Sequence, residues 1–278
     1  MYRTGVMTPT DRVQAVDWAA SEGWNPGIRD MDCFERVDPD GFWGGWLDDR
    51  LVASISVVNY DPTFAFLGFY IVTPGERGQG MGYRLWQDAL AHAGDRVVGL
   101  DGVVDQQDNY RKSGFDLAYR NIRFGGRAGR MDSPAMDVRP ADAPFAALEQ
   151  MDRRVFPAPR PTFWKAWLGA EGHRTVAAFE GERLTGFATL RPCRAGHKIG
   201  PLVAASDRVA RAVLAALTKD LDPDDEVFLD VPEPNAPAVA LAEHLGLSPV
   251  FETARMYRGP APEVDLEHIF GVTSFELG

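Results

Sequence analysis

Short apolar runs bounded by turn residues recur along this chain at 69–72, 98–101, 198–203 and 227–230, and each predicts a buried strand. Between them the spacing changes to that of a helix with one apolar face. Leu85, Trp86, Ala89, Leu90 and Ala93 fall at i, i+1, i+4, i+5 and i+8, and Val209, Val213, Leu214 and Leu217 repeat the device further on. At 48–52 and 181–185 a polar turn precedes an apolar stretch, as in a hairpin. Strands alternating with helices predict an α/β (α+β layered) fold, a mixed sheet flanked by helices, rather than a sandwich.

The same pattern occurs twice. Val98-Gly99-Leu100-Asp101 is echoed by Val227-Phe228-Leu229-Asp230, each a strand closed by an aspartate. Gly114 is followed by Tyr119 after five residues and Arg123 after nine; Gly246 is followed by Phe251 and Arg255 at the same intervals. Matches in one order along two halves indicate an internal repeat. The length of 278 residues suits two domains. Gly125-Gly126-Arg127-Ala128-Gly129-Arg130 followed by Asp132-Ser133-Pro134 reads as a connection, so the expected domains are 1–130 and 131–278, with the junction near 126–136. The rigid stretch 156–161, with three prolines, is expected between helices that begin near Ala141 and Thr162.

The first half carries Arg77-Gly78-Gln79-Gly80-Met81-Gly82 between the strand at 69–72 and an amphipathic helix. A glycine bend opening a helix leaves backbone N–H groups unpaired and aimed one way, with the positive end of the helix dipole behind them. That makes an anion seat suited to a pyrophosphate. Glycines at 78, 80 and 82 do not satisfy the dinucleotide spacing G-x-G-x-x-G, and no Gly-Lys pair followed by Ser or Thr forms a Walker loop. The stretch resembles the R-x-x-G-x-G motif of the GNAT superfamily of acyl-CoA-dependent N-acyltransferases, with Val72-Thr73-Pro74 as its V-x-P lead-in. Tyr110-Arg111-Lys112-Ser113-Gly114-Phe115 is similar to the family's Y-x-K-x-G-F.

The resemblance implies tandem GNAT folds, each with a mixed, splayed sheet, and an acetyl-CoA co-substrate held along Ile71, Val72, Thr73, Arg77, Gly78, Gln79, Gly80, Met81, Gly82 and Tyr83. It implies that Tyr110 lies beside the coenzyme sulfur, where a phenol of ordinary pKa about 10 stays protonated and can act as general acid. A backbone N–H near Ile71 or Val72 is expected at the thioester carbonyl, where oxyanion charge develops. The asparagine that many members place about seven residues before the tyrosine is replaced here by Val103. An intact domain followed by a degenerate one resembles the YitH/HolE-like GNAT proteins.

The second half lacks these residues. Ala204-Ala205-Ser206-Asp207-Arg208-Val209 offers no glycine, Ser206 or Asp207 reads as a helix N-cap that occupies the N–H groups an anion needs, and the position four before Gly246 is Ala242. That half is expected to bind no acyl-CoA and to wall the acceptor pocket instead.

Composition narrows the remaining possibilities. Hydrophobic content of 45% and charged content of 25% are those of a globular protein, with no apolar run of membrane-span length and no leader-like start, so a cytoplasmic setting is expected. A net charge of −11 argues against nucleic acid and anionic membrane as partners and suits a cationic small-molecule amine. Arg120, Arg123, Arg127 and Arg130 form the one basic stretch and read as a solvated linker face. Cys33 and Cys193 lack metal or disulfide spacing, the five histidines show no H-x-x-x-H pair, and no metal is expected.

The proton acceptor for the amine is not named by any motif. Glu22, Asp30 and Asp32 flank the turn-rich, aromatic segment 22–27 and are candidates, and Trp24, Asp32 and Asp230 are candidates for the acceptor pocket. The function expected is transfer of an acetyl group to the primary amine of a small molecule by direct attack in a ternary complex. The alternative is a coenzyme-binding sensor or interaction protein without turnover.

Overall fold

A computed structural model describes residues 1–127, 129, 131–141 and 145–278. The first half runs β1 (Tyr2–Val6), α1 (Pro9–Ser21), α2 (Asp30–Glu35), β2 (Phe42–Leu47), β3 (Arg50–Asn59), β4 (Phe64–Val72), α3 (Met81–His92), β5 (Val97–Val103), α4 (Gln107–Lys112) and β6 (Phe115–Arg127). The second runs β7 (Asp137–Pro140), α5 (Ala146–Val155), α6 (Pro161–Leu168), β8 (Arg174–Glu180), β9 (Arg183–Pro192), β10 (His197–Ala204), α7 (Asp207–Thr218), β11 (Glu226–Pro232), α8 (Ala236–His244), β12 (Ser248–Arg258) and β13 (Ile269–Gly271). The expected hairpins are β2–β3 and β8–β9, and both predicted helix faces are buried, on α3 and α7.

All the strands belong to one mixed sheet, in the order β1-β2-β3-β4-β5-β12-β6-β11-β10-β9-β8-β7, with β13 on β10. The middle of that order is the consequential part. Strand β12 of the second half lies between β5 and β6 of the first, and β6 of the first lies between β12 and β11 of the second. The two halves thus exchange strands, and no edge of either is left unpaired at the seam.

In each half the two parallel central strands separate. Strand β4 pairs with β5 only over Phe64–Leu67 and Val97–Leu100, then continues to Val72 paired with β3 alone; β10 pairs with β11 only over His197–Ile199 and Val227–Leu229. A bulge opens the first of these gaps: Phe69 takes φ +48° and two residues, Phe69 and Tyr70, face one, Ile55, on β3. In the second half β13 enters the gap, pairing antiparallel with Leu202 and Val203 of β10. The first gap receives no strand and forms the site.

Helices close the layers. Helix α3 covers one face of the first half with Leu85, Trp86, Ala89 and Leu90 buried, and α7 and α8 cover the corresponding face of the second. A third apolar cluster crosses between halves, where Phe34 of α2 meets Phe163 of α6 at 5.2 Å between ring centroids and Trp167 at 6.1 Å. Each such fully buried aromatic contributes about 1.5–3 kcal/mol by leaving water.

Three expectations need correction. The helix expected near Ala141 opens at Ala146, because Asp137–Pro140 forms β7 against β8. Gly125, Gly126 and Arg127 are paired residues of β6. Arg123 is not solvated but 2% exposed, since β6 runs through the middle of the shared sheet. Arg120 pairs with Glu233 and Glu252, and Arg127 with Asp224, at the surface. Ala128 and Arg130 lie outside the described residues.

Candidate active site

Three glycines shape the loop between β4 and α3 for two reasons. Gly78 and Gly80 both take φ +78°, a left-handed conformation that other residues rarely adopt, and the space beside each is open. Gly82 is needed for contact, because a Cβ there would lie 2.6 Å from Val72 Cγ2 and 2.7 Å from Tyr70 Oη. Gly80 is the N-cap of α3 and supplies no side chain, so the first-turn N–H groups have no side-chain partner. At the corresponding place in the second half, the Ser206 hydroxyl accepts a hydrogen bond from Val209 N at 3.4 Å, and Asp207 adds a negative charge to the first turn.

The open edge of β4 adds a second row of donors. Thr73 N donates to Val52 O at 2.9 Å on the β3 side. Because N–H groups alternate edges along a strand, Ile71 directs its own to β3 as well, whereas Val72 turns its N–H toward the gap. The Arg77 side chain is fixed beside this edge, donating to Val72 O at 2.8 Å and to Glu22 Oε1 at 2.6 Å. Gln79 donates to Gly75 O at 3.2 Å.

A surface groove follows these donors, bordered by Tyr70, Ile71, Val72, Arg77, Gly78, Gly80, Gly82, Tyr83 and Tyr110. It meets a smaller cavity in the gap between β4 and β5. Trp24, Tyr70, Val103 and Tyr110 border both. The cavity wall is completed by Phe251 and Thr253 of the exchanged β12 and by Phe275 and Glu276 of the last segment. That segment lies against β4 so closely that a Cβ on Gly68 would stand 1.7 Å from Glu276 O.

Tyr110 is held by stacking on Trp86, with centroids 5.7 Å apart and rings inclined by 22°. Burial, reinforced by Tyr70, pushes its phenol above the ordinary value, so the proton stays on oxygen throughout the working pH range. Gly102 gives the ring room, since a Cβ there would lie 2.3 Å from Tyr110 Cε2.

The carboxylates proposed from sequence separate into different places. Glu22 borders the groove but is paired with Arg77. Asp30 is buried between the halves, accepting from Arg191 at 2.8 and 3.2 Å and from Gly27 N at 3.0 Å. Asp32 is exposed, pairs with Arg29 and borders a different depression, on the α1 side. Asp230 is 1% exposed and accepts from Arg123 Nε and Nη2 at 2.6 and 2.8 Å. Burial raises its pKa, but Arg123 and Lys198 outweigh that and hold the carboxyl below the usual range. Arg123 also donates to Trp24 O, and its guanidinium carbon lies 4.8 Å from the Phe275 ring centroid. Of the three pocket candidates, Trp24 borders the cavity, Asp230 sits behind it through Arg123, and Asp32 faces elsewhere.

Sequence reasoning missed Phe251, Thr253, Phe275 and Glu276. Phe251 did stand out as the counterpart of Tyr119 in the repeat, but the exchange that brings it to the first half has no local signature.

This geometry agrees with what comparison finds. Residues 11–115 match the family model described as Acetyltransferase (GNAT) family, and residues 148–271 match one described as Acetyltransferase (GNAT) domain. Holothin acyltransferase of Pseudoalteromonas sp. (strain SANK 73390) is 33% identical over 263 residues, which cover 94% of this chain and 90% of that protein. The chain belongs to the GNAT acyltransferase family. This tandem GNAT enzyme also shares its fold with solved structures. A crystal structure of a putative acetyltransferase from Pyrococcus horikoshii superposes with TM-score 0.85 at 24% identity, covering 100% of this chain and 96% of that one. A tandem GNAT protein from the clavulanic acid biosynthesis pathway gives TM-score 0.65 at 17% identity, over 94% and 100%.

Proposed function

We propose that this acyltransferase moves an acetyl group from acetyl-CoA to the primary amine of a small molecule, by direct attack in a ternary complex. The observation that carries the reading is the continuity of the open groove with the aromatic cavity, with Tyr110 at their junction. When bound, the coenzyme supplies a thioester, the electrophile of the reaction.

The residues present fit that group. The uncapped first turn of α3 and the loop Gly78–Gly82 hold the pyrophosphate through backbone N–H groups. The Val72 N–H, left free by the separation of β4 from β5, binds along the pantetheine arm and directs the carbonyl to the cavity. Tyr110 gives its proton to the departing sulfur. The small cavity suits a small acceptor, and the name of the 33% identical relative, an acyltransferase of holothin, supports a small-molecule substrate.

Thiol release from acetyl-CoA, measured against a panel of primary amines, tests the proposal. Amine-dependent release that falls about 100-fold or more in Tyr110→Phe is expected. Coenzyme binding with no turnover on any amine is the outcome of the sensor alternative.

A further inference from the structure

Two buried polar atoms, on residues that border the acceptor cavity, make no hydrogen bond among the described residues. Glu276, 4% exposed, uses one carboxylate oxygen to accept the Ser274 hydroxyl at 2.6 Å, and its Oε1 makes no hydrogen bond. Thr253, 2% exposed, has a hydroxyl that makes none. Leaving a buried polar group unsatisfied costs about 1–3 kcal/mol, and more for a charged one. Both residues border the cavity, whose lining also includes Leu67, Leu100 and the aromatic residues Trp24, Tyr110, Phe251 and Phe275.

The other acid bordering the cavity is already engaged. Asp101 accepts from Arg255 at 2.9 and 2.7 Å and from Asn121 at 2.7 Å. The cation nearest to Glu276 Oε1 is Arg123 Nη2, at 3.9 Å, and that guanidinium is committed to Asp230 and to Trp24 O. Lys198 Nζ lies 4.0 Å from Asp230 Oδ2. Glu276 Oε1 therefore keeps an acceptor site that no hydrogen bond among the described residues uses.

We infer that Glu276 Oε1 and Thr253 Oγ1 bind the amine of the acceptor, that Glu276 takes its proton, and that the acceptor is a primary amine on a planar apolar body. This rests on the acetyl-transfer reading above and identifies the base that reading lacks. The C–N bond forms as the amine proton passes to Glu276; the C–S bond breaks as Tyr110 protonates the sulfur. Solvent then takes the proton from Glu276 and restores the one on Tyr110. The aromatic walls select the planar body, since flat rings stack on such faces. Both amine-binding residues come from the second half, which thereby contributes to a site whose coenzyme groove belongs to the first.

The test uses the full chain, acetyl-CoA and a panel of arylalkyl and alkyl primary amines. Glu276→Gln is expected to lower kcat by about 100- to 10,000-fold, with the acetyl-CoA Kd unchanged. Its residual rate is expected to climb tenfold per pH unit up to the pKa of the amine, where the wild type has reached a plateau. Thr253→Val is expected to raise the amine KM several-fold with little change in kcat, and arylalkyl amines to be preferred over alkyl ones. Should Glu276→Gln not fold, Glu276→Asp keeps the charge beside Arg123 while withdrawing the carboxylate, and a loss of tenfold or more in kcat is expected. Wild-type kcat and pH profile in either folded variant overturn the assignment to Glu276 alone. Preference for alkyl amines overturns the substrate class. A wild type inactive on every amine overturns the acetyl-transfer reading and this one together.

Discussion

Asp101 and Arg255, 154 positions apart, form a two-pronged ion pair across the seam between the halves, with Arg255 Nε and Nη2 donating at 2.9 and 2.7 Å. Its mirror is Arg123 on Asp230, at 2.6 and 2.8 Å. Each aspartate lies within the strand β5 or β11 of its own half, two residues before its end, and each arginine stands nine residues after a glycine turn, at Gly114 or Gly246. The repeat therefore pairs aspartate with arginine reciprocally, never within one half. Removing one member of such a buried pair leaves the other charge uncompensated and destabilises by about 3–5 kcal/mol. Arg255→Met is expected to lose that much in urea unfolding, and Asp101→Leu with Arg255→Met to recover a large part of it.

Strand exchange makes a second expectation. Residues 1–130 alone would present β5 and β6 without the β12 that lies between them, and residues 131–278 would lack β6. Unpaired strand edges aggregate. Expressed separately, the halves are expected to be insoluble; expressed together, they are expected to co-purify as one complex. Size-exclusion chromatography reads the result, and two monodisperse separate halves would contradict it.

These pairings show how much the residues revealed and where they stopped. Hairpins, helix faces and the glycine loop depend on neighbours within a dozen positions, and the alternation of apolar residues was enough to place them. The aspartates and arginines of the repeat were visible too, yet their partners were not, because two copies of one pattern pair equally well within a half or across halves. Asp230 was a pocket candidate, and the structure sets it behind the cavity instead, paired with Arg123. Glu276 carries no motif at all. Its role depends on the last segment returning to Gly68, a contact 208 positions away in sequence.

That contact can be broken by a single methyl group. The Cβ of Gly68→Ala would meet the carbonyl of Glu276, which is backbone and cannot rotate aside. The segment around Glu276 must shift, at about 1–3 kcal/mol of stability. Acetyl-CoA affinity is expected to stay within about twofold while amine-dependent thiol release falls at least tenfold. Calorimetry and a thiol assay on the same preparation check both halves of the statement.

Acid stability is expected to depend on His173. Its ring packs on Trp167 with centroids 4.4 Å apart; burial, reinforced by Arg191 and opposed by Asp30, pushes its pKa down to about 4. An unfolded histidine titrates near 6.5. Between those values the unfolded chain binds the extra proton and the folded chain does not, so stability rises with pH across about 4 to 6.5 and is lost as pH falls through that window. Other groups titrate there as well. The difference between the wild type and His173→Gln isolates this one, and a variant whose melting temperature falls as steeply as the wild type between pH 6.5 and pH 4 would contradict it.

Coenzyme stoichiometry distinguishes a shared site from two independent ones. The second half separates β10 from β11 as the first separates β4 from β5, but β13 pairs with Leu202 and Val203 in the space so created. The Ser206 hydroxyl takes the Val209 N–H at the mouth, and Asp207, paired with Arg211 at 2.9 Å, adds a carboxylate to the first turn. Each obstacle acts on a different part of the ligand: the plug on the thioester arm, the cap and the charge on the pyrophosphate. Removing one leaves the others, so Ser206→Gly is expected to create no second site. Titration calorimetry of the wild type and of this variant is expected to give one acetyl-CoA per chain, and Gly80→Val, whose side chain disfavours φ +78°, to weaken that one about tenfold or more. A second binding event that survives Gly80→Val would place a coenzyme in the carboxy-terminal half and refute the division of labour between the two.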